Sequence, residues 1–138
     1  MKRIGVLTSG GDGPGLNPCI RAATRMALGY GLEVMGVERG YAGLMNGEII
    51  PLDARSVGGI IGKGGTFLGT TRAPEFKTPQ GQREALRNLN RHGIEGLVII
   101  GGNGSLSGAH ALHQLGFSVP TTSLSIVAGT PTTGKPSW

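Results

Sequence analysis

The chain has 138 residues, 38% of them hydrophobic and 15% charged, enough for one domain with a buried core. No run of about 18 apolar residues occurs, which excludes a membrane-spanning helix. A single cysteine excludes an internal disulfide, so a cytoplasmic location is expected. The net charge is +5, but Lys and Arg are scattered and aromatics make up only 4%, so nucleic acid is not an expected partner.

Glycine is the outlier: 27 residues, roughly three times the usual share. The glycines follow no fixed period and collect at the ends of apolar runs, where tight turns and close backbone approach require them.

Lys2–Leu7 reads as a short buried strand that reaches Thr8-Ser9-Gly10-Gly11 too soon for a signal peptide. TSGGDGPG (8–15) is a glycine-rich turn. Residues 16–30 read as a helix, with Asn17 as its cap, Pro18 in its first turn and Gly31 as its stop. Leu16, Ile20, Ala23, Ala27 and Leu28 share one face of it. Leu32–Val37 and Glu48–Leu52 read as strands, and Val57–Ile61 as a helical turn. Residues 62–72 form a second glycine-rich loop, GKGGTFLGTTR. Residues 79–92 read as a helix with Leu86 and Leu89 facing in. Ile94–Ile100 is the strongest strand signal, and the turn GGNGS opens a helix over 104–115.

This alternation predicts an α/β fold: Rossmann-like βαβ layers with a mostly parallel sheet. Such sheets place ligands beyond the carboxyl ends of their strands, where both TSGGDGPG and GGNGS fall. The segment 118–138 breaks the pattern. It is rich in Thr, Pro and Ser, with Lys135 its sole charge, and is expected to be a flexible polar tail.

A helix N-terminus offers unpaired N–H groups and partial positive charge, and glycines bring these close to phosphate oxygens. Neither G-x-x-x-x-G-K-[ST] nor G-x-G-x-x-G is present, so glycines alone fit a phosphate cradle and plain tight turns equally. His110 and His113 lie three apart on a helix without a third metal ligand. Cys19 lacks an acid or base partner and reads as a packed thiol. Arg21 and Arg25, four apart, fit a solvated face or a joint anion site.

The motifs carry a resemblance. Gly5–Asn17, GVLTSGGDGPGLN, is similar to the opening motif of the bacterial ATP-dependent 6-phosphofructokinases. RGYAGL (39–44), GGTFLG (64–69), Arg72 with PEF (74–76), and HGIEGL (92–97) resemble further blocks in the same order, and GGNGS stands where the family has GGDGS. The blocks span residues 1–117, which would make these a partial phosphofructokinase nucleotide-binding domain.

The resemblance implies transfer of a phosphoryl group from ATP to the 1-hydroxyl of fructose 6-phosphate, with Mg²⁺. It implies that Gly11 approaches the ATP phosphates, and that Arg72 stabilises charge on the transferring group, with Ala73 beside it. Gly102, Asn103, Gly104 and Ser105 would line the nucleotide site from the other turn. Arg21 and Arg25 would meet nucleotide or phosphoenolpyruvate effectors between subunits of a homotetramer. Two departures follow. Asn103 replaces the Asp that serves Mg²⁺, which weakens metal binding. The TIDND-like motif carrying the catalytic Asp base is absent, so the chain is expected to be inactive alone; a frameshift near codon 118 would account for the tail. The alternative is a nucleotide-binding or regulatory fragment without catalysis.

Overall fold

A computed structural model describes residues 2–9, 16–60, 66–70 and 73–101, and beyond them Gly108, His110–Leu112, Gln114 and Ser125–Ile126. Five strands form one sheet: β1 (Arg3–Ser9), β2 (Glu33–Val37), β3 (Ile49–Leu52), β4 (Gly96–Gly101) and β5 (Ser125–Ile126). Their spatial order is β3-β2-β1-β4-β5. Every pairing is parallel except β2 with β3. The helices are α1 (Leu16–Gly29), α2 (Gly40–Asn46), α3 (Ala54–Val57) and α4 (Pro79–Arg91), with a 3₁₀ turn at Pro74–Lys77. The mostly parallel α/β sheet expected from the alternation is therefore present.

Both faces of the sheet are buried, as parallel strands with helical crossovers demand. Side chains alternate along each strand. Ile4, Val6, Val34, Val98 and Ile100 pack with Ile20 and Ala27 of α1, Val57 of α3 and Leu68. Leu7, Val37, Leu97 and Ile99 face the other way, onto Tyr41 and Leu44 of α2, Ala85 and Leu89 of α4, Phe76 and Leu112. β3 closes one edge, and its Pro51 is exposed there, where a missing N–H leaves no gap in an interior ladder.

Several local expectations shift. Asn17 does not cap α1: the helix begins at Leu16, and the Asn17 side chain is buried inside it. The helical turn expected at Val57–Ile61 forms three residues earlier, as α3. Asp53 causes this, because its carboxylate accepts the Ser56 N–H at 2.7 Å and the Ser56 hydroxyl accepts the Asp53 N–H, a capping box. α2 had no sequence signal, since Gly40 and Gly43 depress helix propensity; it is held by burial of Tyr41 and Leu44. Leu89 is buried and Leu86 packs at the margin of the same cluster. Within the segment expected to be flexible, Ser125 and Ile126 pair with Ile99 and Ile100.

Candidate functional site

The sheet order decides where a ligand can sit. The chain leaves β1 through α1 towards β2 on one side, while β4 lies on the other side of β1. The crossovers thus diverge between β1 and β4, the switch point at which open α/β sheets leave a crevice beyond their carboxyl ends. The register pairs Thr8 with Ile100 and Ser9 with Gly101. TSGGDGPG and GGNGS therefore leave the sheet from adjacent strands at the same height. The first leads into α1 and the second into the helix that contains Gly108, Leu112 and Gln114.

The described part of the glycine-rich loop at 62–72, residues 66–70, is fastened to the same end. Thr8 is fully buried, and its hydroxyl donates to the Gly69 carbonyl at 3.0 Å. That hydroxyl has one proton, so the Thr66 hydroxyl, 2.9 Å away, donates to it. The Phe67 N–H donates to the Asn17 side-chain carbonyl. The Arg39 N–H donates to the Leu68 carbonyl at 2.9 Å, and the Leu68 side chain enters the core. Arg39 and Gly40 both adopt left-handed conformations, at φ 61° and 62°. A Cβ at Gly40 would lie 2.8 Å from the Thr8 carbonyl oxygen, so this turn can pass the end of β1 only as glycine.

Among the described residues near this end of the sheet, Arg39 and Glu48 form a surface pair. Arg39 donates to Glu48 through Nε at 3.0 Å, and a second guanidinium nitrogen meets the other carboxylate oxygen. This hydrogen bond lowers the pKa of Glu48 and raises that of Arg39. Tyr41 is stacked on Phe76 with ring centroids 4.3 Å apart, and burial pushes its phenol pKa up, so it stays neutral.

Of the residues singled out from sequence, Ala73 lies half-buried at the margin of the second cluster and begins the 3₁₀ turn that carries Phe76. Arg21 and Arg25 both lie on α1. Arg21 is half-buried, and its Nε has no hydrogen-bond partner among the described residues; Arg25 is exposed. Gly11, Arg72, Gly102, Asn103, Gly104, Ser105 and the His113 side chain lie outside the described residues. Cys19 packs against the core as a free thiol, and His110 is exposed. Among the described residues no group of three His, Cys, Asp or Glu side chains could hold a metal. No described helix is long and apolar enough to cross a membrane.

Sequence reading missed Thr8, Thr66 and Asn17 as contacts of the site's architecture. A hydroxyl at the end of an otherwise apolar strand was the available signal for Thr8.

Known proteins place this arrangement. The family model described as phosphofructokinase matches residues 3–133. The chain is 56% identical over 114 residues to an ATP-dependent 6-phosphofructokinase of Thermotoga neapolitana, covering 83% of this chain and 36% of that protein. It is 54% identical over 133 residues to the enzyme of the same name from Streptococcus sanguinis, covering 94% of this chain and 40% of that one. Both comparisons therefore leave more than half of the relative unmatched. The crystal structure of Pichia pastoris phosphofructokinase in the T-state superposes with a TM-score of 0.79 at 40% identity, over 82% of this chain and 13% of that one. A pyrophosphate-dependent phosphofructokinase from Marinobacter aquaeolei shares the fold, with a TM-score of 0.72 at 20% identity. The chain belongs to the phosphofructokinase family.

Proposed function

We propose that this chain is the nucleotide-binding layer of an ATP-dependent 6-phosphofructokinase, a cytoplasmic phosphotransferase that converts fructose 6-phosphate to fructose 1,6-bisphosphate. The observation that carries the reading is the pairing of Ser9 with Gly101, which sets the points where TSGGDGPG and GGNGS depart from β1 and β4 side by side at the sheet's switch point.

In this reading the backbone N–H groups at Gly11 and at Gly102, Gly104 and Ser105 receive the polyphosphate from two sides. Arg72, with Ala73 beside it, brings a planar cation to the phosphoryl group in transit, where charge neutralisation and alignment make up most of catalysis. Mg²⁺ neutralises phosphate charge when bound. Asn103 would offer the ion a neutral amide oxygen in place of a carboxylate, which weakens its hold. No TIDND-like motif occurs in the 138 residues, so deprotonation of the sugar hydroxyl is assigned outside this chain. Arg21 and Arg25 take an anionic effector, nucleotide or phosphoenolpyruvate, at a contact between subunits of a homotetramer. The buried Arg21 Nε without a partner among the described residues supports that role.

Calorimetric titration of the chain with ATP in excess Mg²⁺ tests the reading. Binding is expected, and Arg72→Ala should weaken it by at least tenfold, the loss of one charge-assisted contact of about 1.5–3 kcal/mol. A folded wild-type chain that takes up no ATP contradicts the reading.

A further inference from the structure

Four consecutive residues, Thr66 to Gly69, are fastened to three anchors, Thr8, Asn17 and Arg39. The Thr66 hydroxyl reaches Thr8 at 2.9 Å, the Phe67 N–H reaches Asn17, the Leu68 carbonyl accepts from Arg39 at 2.9 Å, and the Gly69 carbonyl accepts from Thr8 at 3.0 Å. Short glycine-rich loops ordinarily have freedom in their middle; this one is pinned there. Thr8 is the hub, because one buried hydroxyl serves both ends of the pinned segment. The residue paired with it on β4, Ile100, is aliphatic and buried and offers the loop no hydrogen bond from its side chain.

We infer that Thr8 is a positioning residue for nucleotide binding: through its hydroxyl it fixes Thr66–Gly69 at the end of β1 and so sets the affinity of the loop that runs on to Arg72. It touches no reacting atom in this account. Its contribution is to hold the loop in place before the nucleotide arrives, so that ordering is not charged to binding. The inference rests on the nucleotide-binding reading above.

The test uses the full chain and the variants Thr8→Val, Thr8→Ser and Thr66→Val. Valine keeps the shape of threonine and removes the hydroxyl; serine keeps the hydroxyl. Amide hydrogen exchange is measured without nucleotide, and Mg-ATP affinity by calorimetry. In Thr8→Val, exchange at Phe67 and Arg39 should quicken about tenfold while Val6 and Val98 stay protected, and affinity should fall on the order of tenfold, the loss of one to two hydrogen bonds. Thr8→Ser should behave as wild type in both. Added to Arg72→Ala, Thr8→Val should weaken affinity no further, because the hydroxyl acts through the loop. If Thr8→Val fails to fold, Thr66→Val, which removes one of the two bonds, should show the same pattern at smaller amplitude. Wild-type exchange and affinity in Thr8→Val, or full additivity with Arg72→Ala, overturns the inference alone. Absence of ATP binding by the wild-type chain overturns the nucleotide reading and this inference with it.

Discussion

Gly108 offers a prediction in which helix propensity and packing give opposite signs. It lies in the helix that follows GGNGS, and glycine there costs about 1 kcal/mol relative to alanine by propensity. A Cβ added at Gly108 would sit 2.4 Å from Tyr41 Cζ, 2.5 Å from its Oη and 2.7 Å from Cε2. Carbon atoms in contact prefer roughly 3.5–4.0 Å, so one partner must move by about 1 Å. Tyr41 cannot swing away: it is 6% exposed and stacked on Phe76. Overpacking of this kind costs about 1–3 kcal/mol, which outweighs the propensity gain. Gly108→Ala should therefore destabilise by up to about 2 kcal/mol and lower Tm by up to roughly 8 °C. Gly29 is the control. It ends α1, and an added Cβ there meets nothing within 4 Å. Gly29→Ala should stabilise by up to about 1 kcal/mol. Urea unfolding followed by circular dichroism measures both. A Gly108→Ala chain as stable as wild type, or more so, would refute the packing of this helix against α2.

Two further outcomes follow from the buried polar groups and the carboxylates. Asn88 is buried, and its amide donates to the Leu44 and Met45 carbonyls at 2.8 and 2.9 Å, closing the end of α2 from α4. Asn88→Ala should cost about 1–3 kcal/mol in urea unfolding, and Asn88→Asp no less, because a carboxylate has no proton for either carbonyl; a neutral Asn88→Ala would contradict the contact. Hydrogen bonds from the Arg39 side chain, the Ser56 N–H and the Lys2 N–H lower the pKa values of Glu48, Asp53 and Glu95 respectively. The unfolded chain thus binds their protons more readily than the folded one. Stability should be level above the ordinary carboxylate range and fall as the pH drops through the lowered values, below about pH 4. Urea midpoints that rise on acidification would reverse the sign and refute the pairings.

The strands and long helices were legible because their signal is local. Period-two burial in Ile4–Leu7 and Leu97–Ile100, and the helical spacing of Ile20, Ala23 and Ala27, follow directly from which faces are covered. What was illegible depends on tertiary contacts. α2 exists because Tyr41 and Leu44 find a pocket, against the propensity of its glycines. Asn17 was expected to cap α1; in the fold its side chain serves Phe67, 50 residues away. Antiparallel pairing of β3 depends on the tight turn at Gly47, whose φ is 78°, and on the Glu38 N–H bond to the Glu48 carbonyl. At the proposed site, sequence motifs pointed to the glycine turns and the arginines, of which Gly11, Arg72 and residues 102–105 lie outside the described residues. The adjacency of Ser9 and Gly101, from which the two turns depart, became visible only in the register of β1 and β4, and the contacts of Thr8 only in its hydrogen bonds.

The proposed polyphosphate site lies at the carboxyl end of β1 and β4. Chemical-shift mapping of the ¹⁵N-labelled chain during titration with Mg-ATP tests this most directly. The account predicts the largest shifts at Thr8, Ser9 and Gly101, the turns that follow them and Thr66–Gly69, with Arg3, Glu33 and Glu95 at the opposite end of the sheet unmoved. Shifts confined to that opposite end, or none at saturating nucleotide in a folded sample, would contradict it.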